Sequence, residues 1–295
     1  MNKKKHAYLH GGAARTALYF SVALTGILLF SLNLPSETYV NLSYFYLAHS
    51  VMEIAGILIV GMIVVVGWTS LEGYRTLRST ILSSAFFGLG IMEAVHLLTF
   101  DGYFAQTLVY GSAVSTKLAR ASQVFAAAGL LSFAFIPQHS VRRHFAHTIY
   151  LLTALAGVAV IVFIFANSES TTAIVENGTN LGASETGFEH GMVIIYLVAG
   201  MKLFSNSIRT NSNPCLTIAT ASLVLALSVI FFSRSSQLND FSSLMGHLYK
   251  LLAYIMLFRA LALKNIVQPY YDIRALEQRF ESTLEALPDL VFETS

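Results

Sequence analysis

The sequence predicts an all-α, polytopic membrane helix bundle of about eight transmembrane helices, followed by a cytoplasmic C-terminal helix. Three observations carry this expectation. Of the 295 residues, 55% are hydrophobic and only 12% are charged, against about 25% charged in an ordinary soluble domain. The apolar residues gather in runs of about 20, the length a helix needs to cross the hydrocarbon layer. Lys and Arg gather in short clusters between those runs, and mainly at every second connection.

The runs cover about 15–34, 45–67, 79–100, 114–136, 146–166, 189–208, 215–234 and 243–263. The opening MNKKKHAYLHGGAARTALYF places positive charge before an apolar run, but no small-residue cleavage site follows Leu34. The first run therefore reads as a retained span, not a signal peptide. Lys3, Lys4, Lys5, Arg75, Arg78, Arg142, Arg143, Arg209 and Lys264 fall at one set of span ends. Glu37, Asp101, Glu169, Glu176 and Glu185 fall at the other, with Arg234 the clear basic exception. An even number of spans and the positive-inside rule put both termini in the cytoplasm. The longest external connection is expected from Asn167 to Gly187. Trp68 and Tyr74 fit an interfacial aromatic belt, and Asp101-Gly102 reads as a turn.

Beyond Leu263 the stretch KNIVQPYYDIRALEQRFESTLEALPDLVFETS carries charges at helical spacing and then, after a proline, strand-forming residues. The expected organisation is a cytoplasmic N-terminus at 1–14, a membrane-embedded domain at 15–265, a cytoplasmic helix at 266–285 and the first strand of a further, truncated domain at 286–295. A net charge of +2 with no basic stripe gives no support for nucleic-acid binding. The single cysteine, Cys215, excludes an intrachain disulfide and any thiolate-clustered metal site, and reads as a packed core thiol.

Ionisable residues inside a span cost about 2.5 kcal/mol or more at the bilayer centre, so each is a functional candidate with a partner to be named. Span two holds His49 and Glu53, span three Glu93 and His96, span four Lys117 and Arg120, and span eight His247 and Lys250. Within each span the two lie three or four residues apart, on one helical face. Spans two, four and eight run inward and carry these residues early; span three runs outward and carries them late. All eight are therefore expected in the outer half of the membrane as one polar cluster, with Glu189 and His190 at its rim. His139, His144 and His147 are expected to face lipid head groups and water.

Three chemistries fit such a cluster. Lys117, Arg120 or Lys250 can bind an anionic or polar head group of an otherwise apolar ligand. Three or four of His49, His96, His247, Glu53 and Glu93 can bind a metal, with His49, His96 and His247 the imidazole candidates. Paired histidines on facing helices can also ligate haem. Buried ion pairs that fix helix register are the plainer alternative. Spacing does not choose among them. A small proton-coupled transporter is the rival function, although the inner halves offer few polar groups to continue a proton path.

The segments AHSVMEIAGILI, GIMEAVHLLTFDG, STKLARASQ and GHLYKLLAYIMLFRAL, in that order, resemble the third type of membrane-associated sensor domain (the MASE group) over roughly residues 15–265. The resemblance matches His49, Glu53, Glu93, His96, Asp101, Lys117, Arg120, His247 and Lys250 to the family's polar pattern. It implies a bacterial inner-membrane input module placed ahead of a PAS domain and an output such as a diguanylate cyclase or histidine kinase. The tail LEQRFESTLEALPDLVFETS is similar to the opening of a PAS domain. No GGDEF, EAL, kinase His box or nucleotide-binding motif occurs in these residues, so the chain is expected to be a piece of a longer protein or a gene that ends early. Together, the polar cluster and the resemblance imply a receptor that detects a periplasmic or membrane-borne ligand, metal or haem. It would dimerise and relay the signal through its last helix to a cytoplasmic output domain.

Overall fold

The computed structural model describes residues 24–25, 40–70, 75–100, 112–167, 182–210, 212–235 and 239–285. Eight helices run through these residues: α1 (Leu42–Trp68), α2 (Leu77–Thr99), α3 (Ser112–Phe135), α4 (Arg143–Ala166), α5 (Gly182–Thr210), α6 (Asn213–Arg234), α7 (Phe241–Ala262) and α8 (Gln268–Glu285). A π-helical turn, Leu263–Val267, joins α7 to α8. Among the described residues there is no named strand.

Helices α1 to α7 are the second to eighth predicted spans. Of the first span only Leu24 and Thr25 are described; both are helical and Leu24 packs into the core. Tyr74, Asp101, the N-terminus at 1–14 and the strand expected at 286–295 lie outside the described residues. Helix ends agree with expectation within three residues, except that α5 begins at Gly182 instead of residue 189. The expected external connection is shortened accordingly. Hydropathy marks how much of a helix is apolar, not where its backbone ladder ends, so a polar first turn escapes it.

Local chemistry starts several of these helices. Asn41 caps α1 by accepting from the Ser43 amide at 3.0 Å, and Asp240 caps α7 by accepting from the Ser243 amide at 2.6 Å. Ser212 caps α6, with Pro214 in its first turn. Seven helices among the described residues are long and apolar enough to cross a membrane, and the chain is a multi-pass membrane protein. The last of them continues unbroken from Phe241 to Leu284.

Contacts between neighbours close a ring in the order α1, α2, α3, α5, α6, α7 and back to α1, while α4 packs outside it, chiefly against α2. The sidedness of α1 explains its place. Leu47, Val51, Ile54, Leu58, Met62 and Val65 recur every three or four residues and are exposed, as a lipid-facing stripe requires; Phe45, His49, Glu53, Gly56, Val60 and Ile63 form the opposite, buried face. Glycine permits the close approach where α6 crosses α7. A Cβ on Gly246 would stand 2.6 Å from the Phe232 ring, and the Gly246 carbonyl accepts from Ser228 Oγ at 2.7 Å.

The two ends of the bundle are tied differently. At the Lys/Arg-rich end the Leu77 amide donates to the His139 carbonyl at 2.8 Å and Arg78 donates to Gln138 at 2.7 Å. Lys264 donates to Ser79 Oγ at 2.8 Å there. Both Arg78 and Lys264 lie over the Phe133 ring, at 4.8 and 5.0 Å, as cation–π contacts. His147 at this end stacks on Trp68 with centroids 4.3 Å apart. At the opposite end Val40 and Asn239 exchange bonds of 2.9 and 3.0 Å, fastening the start of α1 to the start of α7.

The π-turn has a local cause. Pro269 has no amide to give to the carbonyl four residues back, and its ring crowds that carbonyl, which belongs to Asn265. Widening the helix by one residue per turn relieves the crowding without breaking the rod. The buried Cys215 thiol donates to the Leu203 carbonyl at 3.4 Å, in keeping with a packed core residue.

Candidate functional site

Six of the eight ionisable residues singled out in the sequence meet in one buried layer near the Lys/Arg-poor end. His49 and Glu53 come from α1, Glu93 and His96 from α2, and His247 and Lys250 from α7; none is more than 8% exposed. Their convergence follows from helix direction: α1 and α7 carry them early, α2 carries them late, and α2 runs antiparallel to α1.

Lys250 is the hub. Its ammonium donates to Glu53 Oε1 at 2.6 Å and to Glu93 Oε2 at 2.8 Å, joining three helices through one cation. The other oxygen of Glu93 accepts from Ser122 Oγ of α3 at 2.5 Å. Glu53 Oε1 also lies 2.8 Å from His247 Nδ1 and 4.0 Å from His49 Nε2. The 2.8 Å approach of His247 is within ion-pair distance, yet its angle does not make a hydrogen bond, and Nδ1 has no hydrogen-bond partner among the described residues.

The imidazoles are held by rings as well as by polar groups. His49 stacks on Phe100 with centroids 4.1 Å apart and meets His247 edge-on at 4.4 Å. His247 in turn abuts Phe232 at 4.9 Å, the ring that Gly246 makes room for. His96 Nδ1 lies 2.8 Å from the Ser115 carbonyl. A carbonyl oxygen only accepts, so the bond assigns the proton to Nδ1 and leaves the lone pair on Nε2. That Nε2 and His49 Nδ1 are buried without a hydrogen-bond partner among the described residues.

Lys117 and Arg120 do not join this network, contrary to the sequence expectation. Lys117 Nζ reaches the Asn167 carbonyl at 3.5 Å, and Arg120 pairs with Glu189 of α5 at 3.5 Å. The reason is rotation. The buried face of α3 carries Ser115, Leu118, Ser122 and Ala126; at about 100° per residue, Lys117 sits some 200° from Ser115. Glu189 and His190 keep their expected place at the rim, His190 being exposed.

The residues that sequence reasoning passed over are Ser115 and Ser122. They lie seven apart on one face of α3, opposite His96 and Glu93, which are three apart on the antiparallel α2. That spacing was the available signal. Phe100, which closes the layer over His49, is the other omission.

The arrangement can hold a cation or a proton. Two carboxylates face one ammonium, and three imidazole nitrogens beside them have no hydrogen-bond partner among the described residues. The haem expectation meets a geometric obstacle: imidazoles with centroids 4.4 Å apart and edge-on leave no room for a porphyrin between His49 and His247.

Comparison with known proteins gives one match. The family model described as MASE3, membrane-associated sensor domain, matches residues 40–269, from just ahead of α1 to the start of α8. No curated protein and no solved structure matches the chain. The matched span takes in all six residues of the buried layer, and the chain belongs to the MASE3 family of membrane-associated sensor domains.

Proposed function

We propose that this chain is the input module of a bacterial inner-membrane receptor, with both termini cytoplasmic, that detects its stimulus in the buried layer of His49, Glu53, Glu93, His96, His247 and Lys250. One observation carries the reading: His247 and Lys250 stand on the same continuous helical rod that leaves the bundle as α8. From Lys250 to Gln268 that rod spans about 27 Å, close to the thickness of the hydrocarbon layer. A change in how α7 is held at one end therefore reaches the other as a shift or rotation. Such a signal requires that the stimulus favour one pose of α7 over the other.

The surface of α8 supports a homodimer. Ile273, Leu276 and Phe280 recur at three- and four-residue spacing and are 50%, 62% and 66% exposed, the pattern of a coiled-coil seam. A PAS domain beginning near residue 286, linked to a cyclase or histidine kinase, is the output this helix would drive.

The test is to join residues 1–285 to a diguanylate cyclase reporter and insert residues between Val267 and Gln268. One added residue turns the output by about 100°, while seven restore its phase. Output that changes with one residue and returns with seven supports the relay. Equal output from both, at equal membrane levels, removes it.

A further inference from the structure

The geometry points to a binding site for one divalent transition-metal ion formed by His49, Glu53 and His247, with zinc or copper the ions its donors suit. The three side chains each offer a donor atom within 4.8 Å of the others, and all three are buried. His49 and Glu53 are one turn apart on α1, so a single helical face presents both; His247 comes across from α7.

Unpartnered nitrogen is what sets this layer apart from a self-contained ion-pair network. Inside an apolar bundle a buried ring nitrogen without a partner is costly. Here His49 Nδ1 and His96 Nε2 are in that state among the described residues, and His247 Nδ1 makes no hydrogen bond there although Glu53 Oε1 lies 2.8 Å away. His96 has the form expected of an imidazole ligand in waiting. Its Nδ1–H is fixed by the Ser115 carbonyl, which orients the ring and frees Nε2, the arrangement that stands behind most metal-bound histidines. Its ring centroid is 5.8 Å from that of His49, close enough for His96 to approach as a fourth ligand or to orient a bound water.

Charge agrees. With both carboxylates ionised, Glu53 and Glu93 carry one more unit of negative charge than the Lys250 ammonium offsets, and that excess favours a cation beside Glu53. Lys250 is not stranded by it, because Glu93 accepts the same ammonium at 2.8 Å. Two imidazoles and one carboxylate suit zinc and copper; calcium and magnesium demand six or more oxygens, which this layer does not offer. Tetrahedral ligands about 2.0–2.1 Å from a zinc ion lie about 3.3 Å from one another. The 2.8 Å between His247 Nδ1 and Glu53 Oε1 is already near that value. Closing the set requires His49 to move by about 1 Å. The metal would then draw α7 toward α1 and shift Lys250 from Glu53 to Glu93. This consequence, the metal as stimulus, rests on the receptor reading above; the site itself does not.

The experiment uses the full chain in lipid nanodiscs, stripped with chelator and titrated with Co²⁺, whose visible ligand-field bands report imidazole and carboxylate coordination. One equivalent of Co²⁺ with intense tetrahedral bands, displaced by Zn²⁺, is expected. Glu53→Gln, which keeps the side chain's size, and His247→Ala should abolish those bands. The triple change His139→Ala, His144→Ala, His147→Ala at the opposite end should leave the titration unchanged. Absence of stoichiometric bands in the wild type overturns the site, as does their persistence in Glu53→Gln or their loss in the triple variant. The cyclase reporter separates the two readings. Metal binding without any change in output removes metal sensing and keeps the site; a wild type without stoichiometric bands whose output still changes on Glu53→Gln removes the site and keeps the receptor.

Discussion

Two acid–base pairings of this molecule lie toward the same end of the bundle and differ in nearly everything else. Lys250 sits between Glu53 and Glu93 at 2.6 and 2.8 Å, its side chain 10% exposed. Arg120 meets Glu189 at 3.5 Å, with side chains 24% and 14% exposed. Both connect different helices of the ring, Arg120 two neighbours and Lys250 the neighbour α1 and, beyond it, α2. The difference teaches that depth along a span does not set what a charged residue does; the face of the helix does. At the rim, each group retains contact with solvent or head groups, and the pair adds about 0–1 kcal/mol. In the layer, the charges have left water, so what matters is the penalty for separating them, about 3–5 kcal/mol when one partner of a buried pair is removed.

The largest effect should follow Lys250→Met, which leaves two carboxylates facing each other without their cation. We expect a loss of about 3–5 kcal/mol in unfolding free energy, read by denaturant titration in detergent. Changing Glu53 and Glu93 to Gln alongside it should recover most of that loss, because no unpaired charge then remains. A Lys250→Met variant as stable as wild type would erase the contrast between layer and rim.

Gly246→Ala comes next. The added methyl meets the Phe232 ring, which itself abuts His247. Overpacking of this kind costs about 1–3 kcal/mol. The companion Gly246→Ala/Phe232→Leu should be milder than the single change if the clash is the cause. Equal destabilisation in both would move the cause elsewhere.

The smallest effect belongs to Arg120→Ala, at or below about 1 kcal/mol and fading further in high salt. Should it match Lys250→Met, the rim pair would have to be counted with the buried network.

Much of this was legible in the sequence. Hydropathy located α1 to α7 because lipid demands about 20 apolar residues from every helix that crosses it. The shared level of His49, Glu53, Glu93, His96, His247 and Lys250 came from counting residues along alternating helices. The misses share a cause. Lys117 and Arg120 stand in the right span at the right depth, but off the inward face of α3, reaching Asn167 at the end of α4 and Glu189 of α5; Ser115 and Ser122 hold the side that faces α2. In α1 the lipid-facing stripe is so apolar that its buried face is evident. In α3 alanines and serines occur all round, and nothing in the pattern says which face turns inward. The early start of α5 escaped for a related reason, since polar residues beyond the membrane continue a helix without leaving an apolar trace.

By itself the sequence determined the places of the seven apolar rods α1 to α7, the level of their ionisable groups and the continuity of the last rod into α8, because each follows from the local pattern of apolar and polar residues along the chain. Tertiary structure alone decided that Lys250 would bridge Glu53 and Glu93, that His49 and His247 would meet over one carboxylate oxygen, and that Arg120 would turn away to Glu189. Those outcomes depend on how each helix is rotated against its neighbours, and rotation is set by packing around small residues such as Gly246, summed over the whole ring.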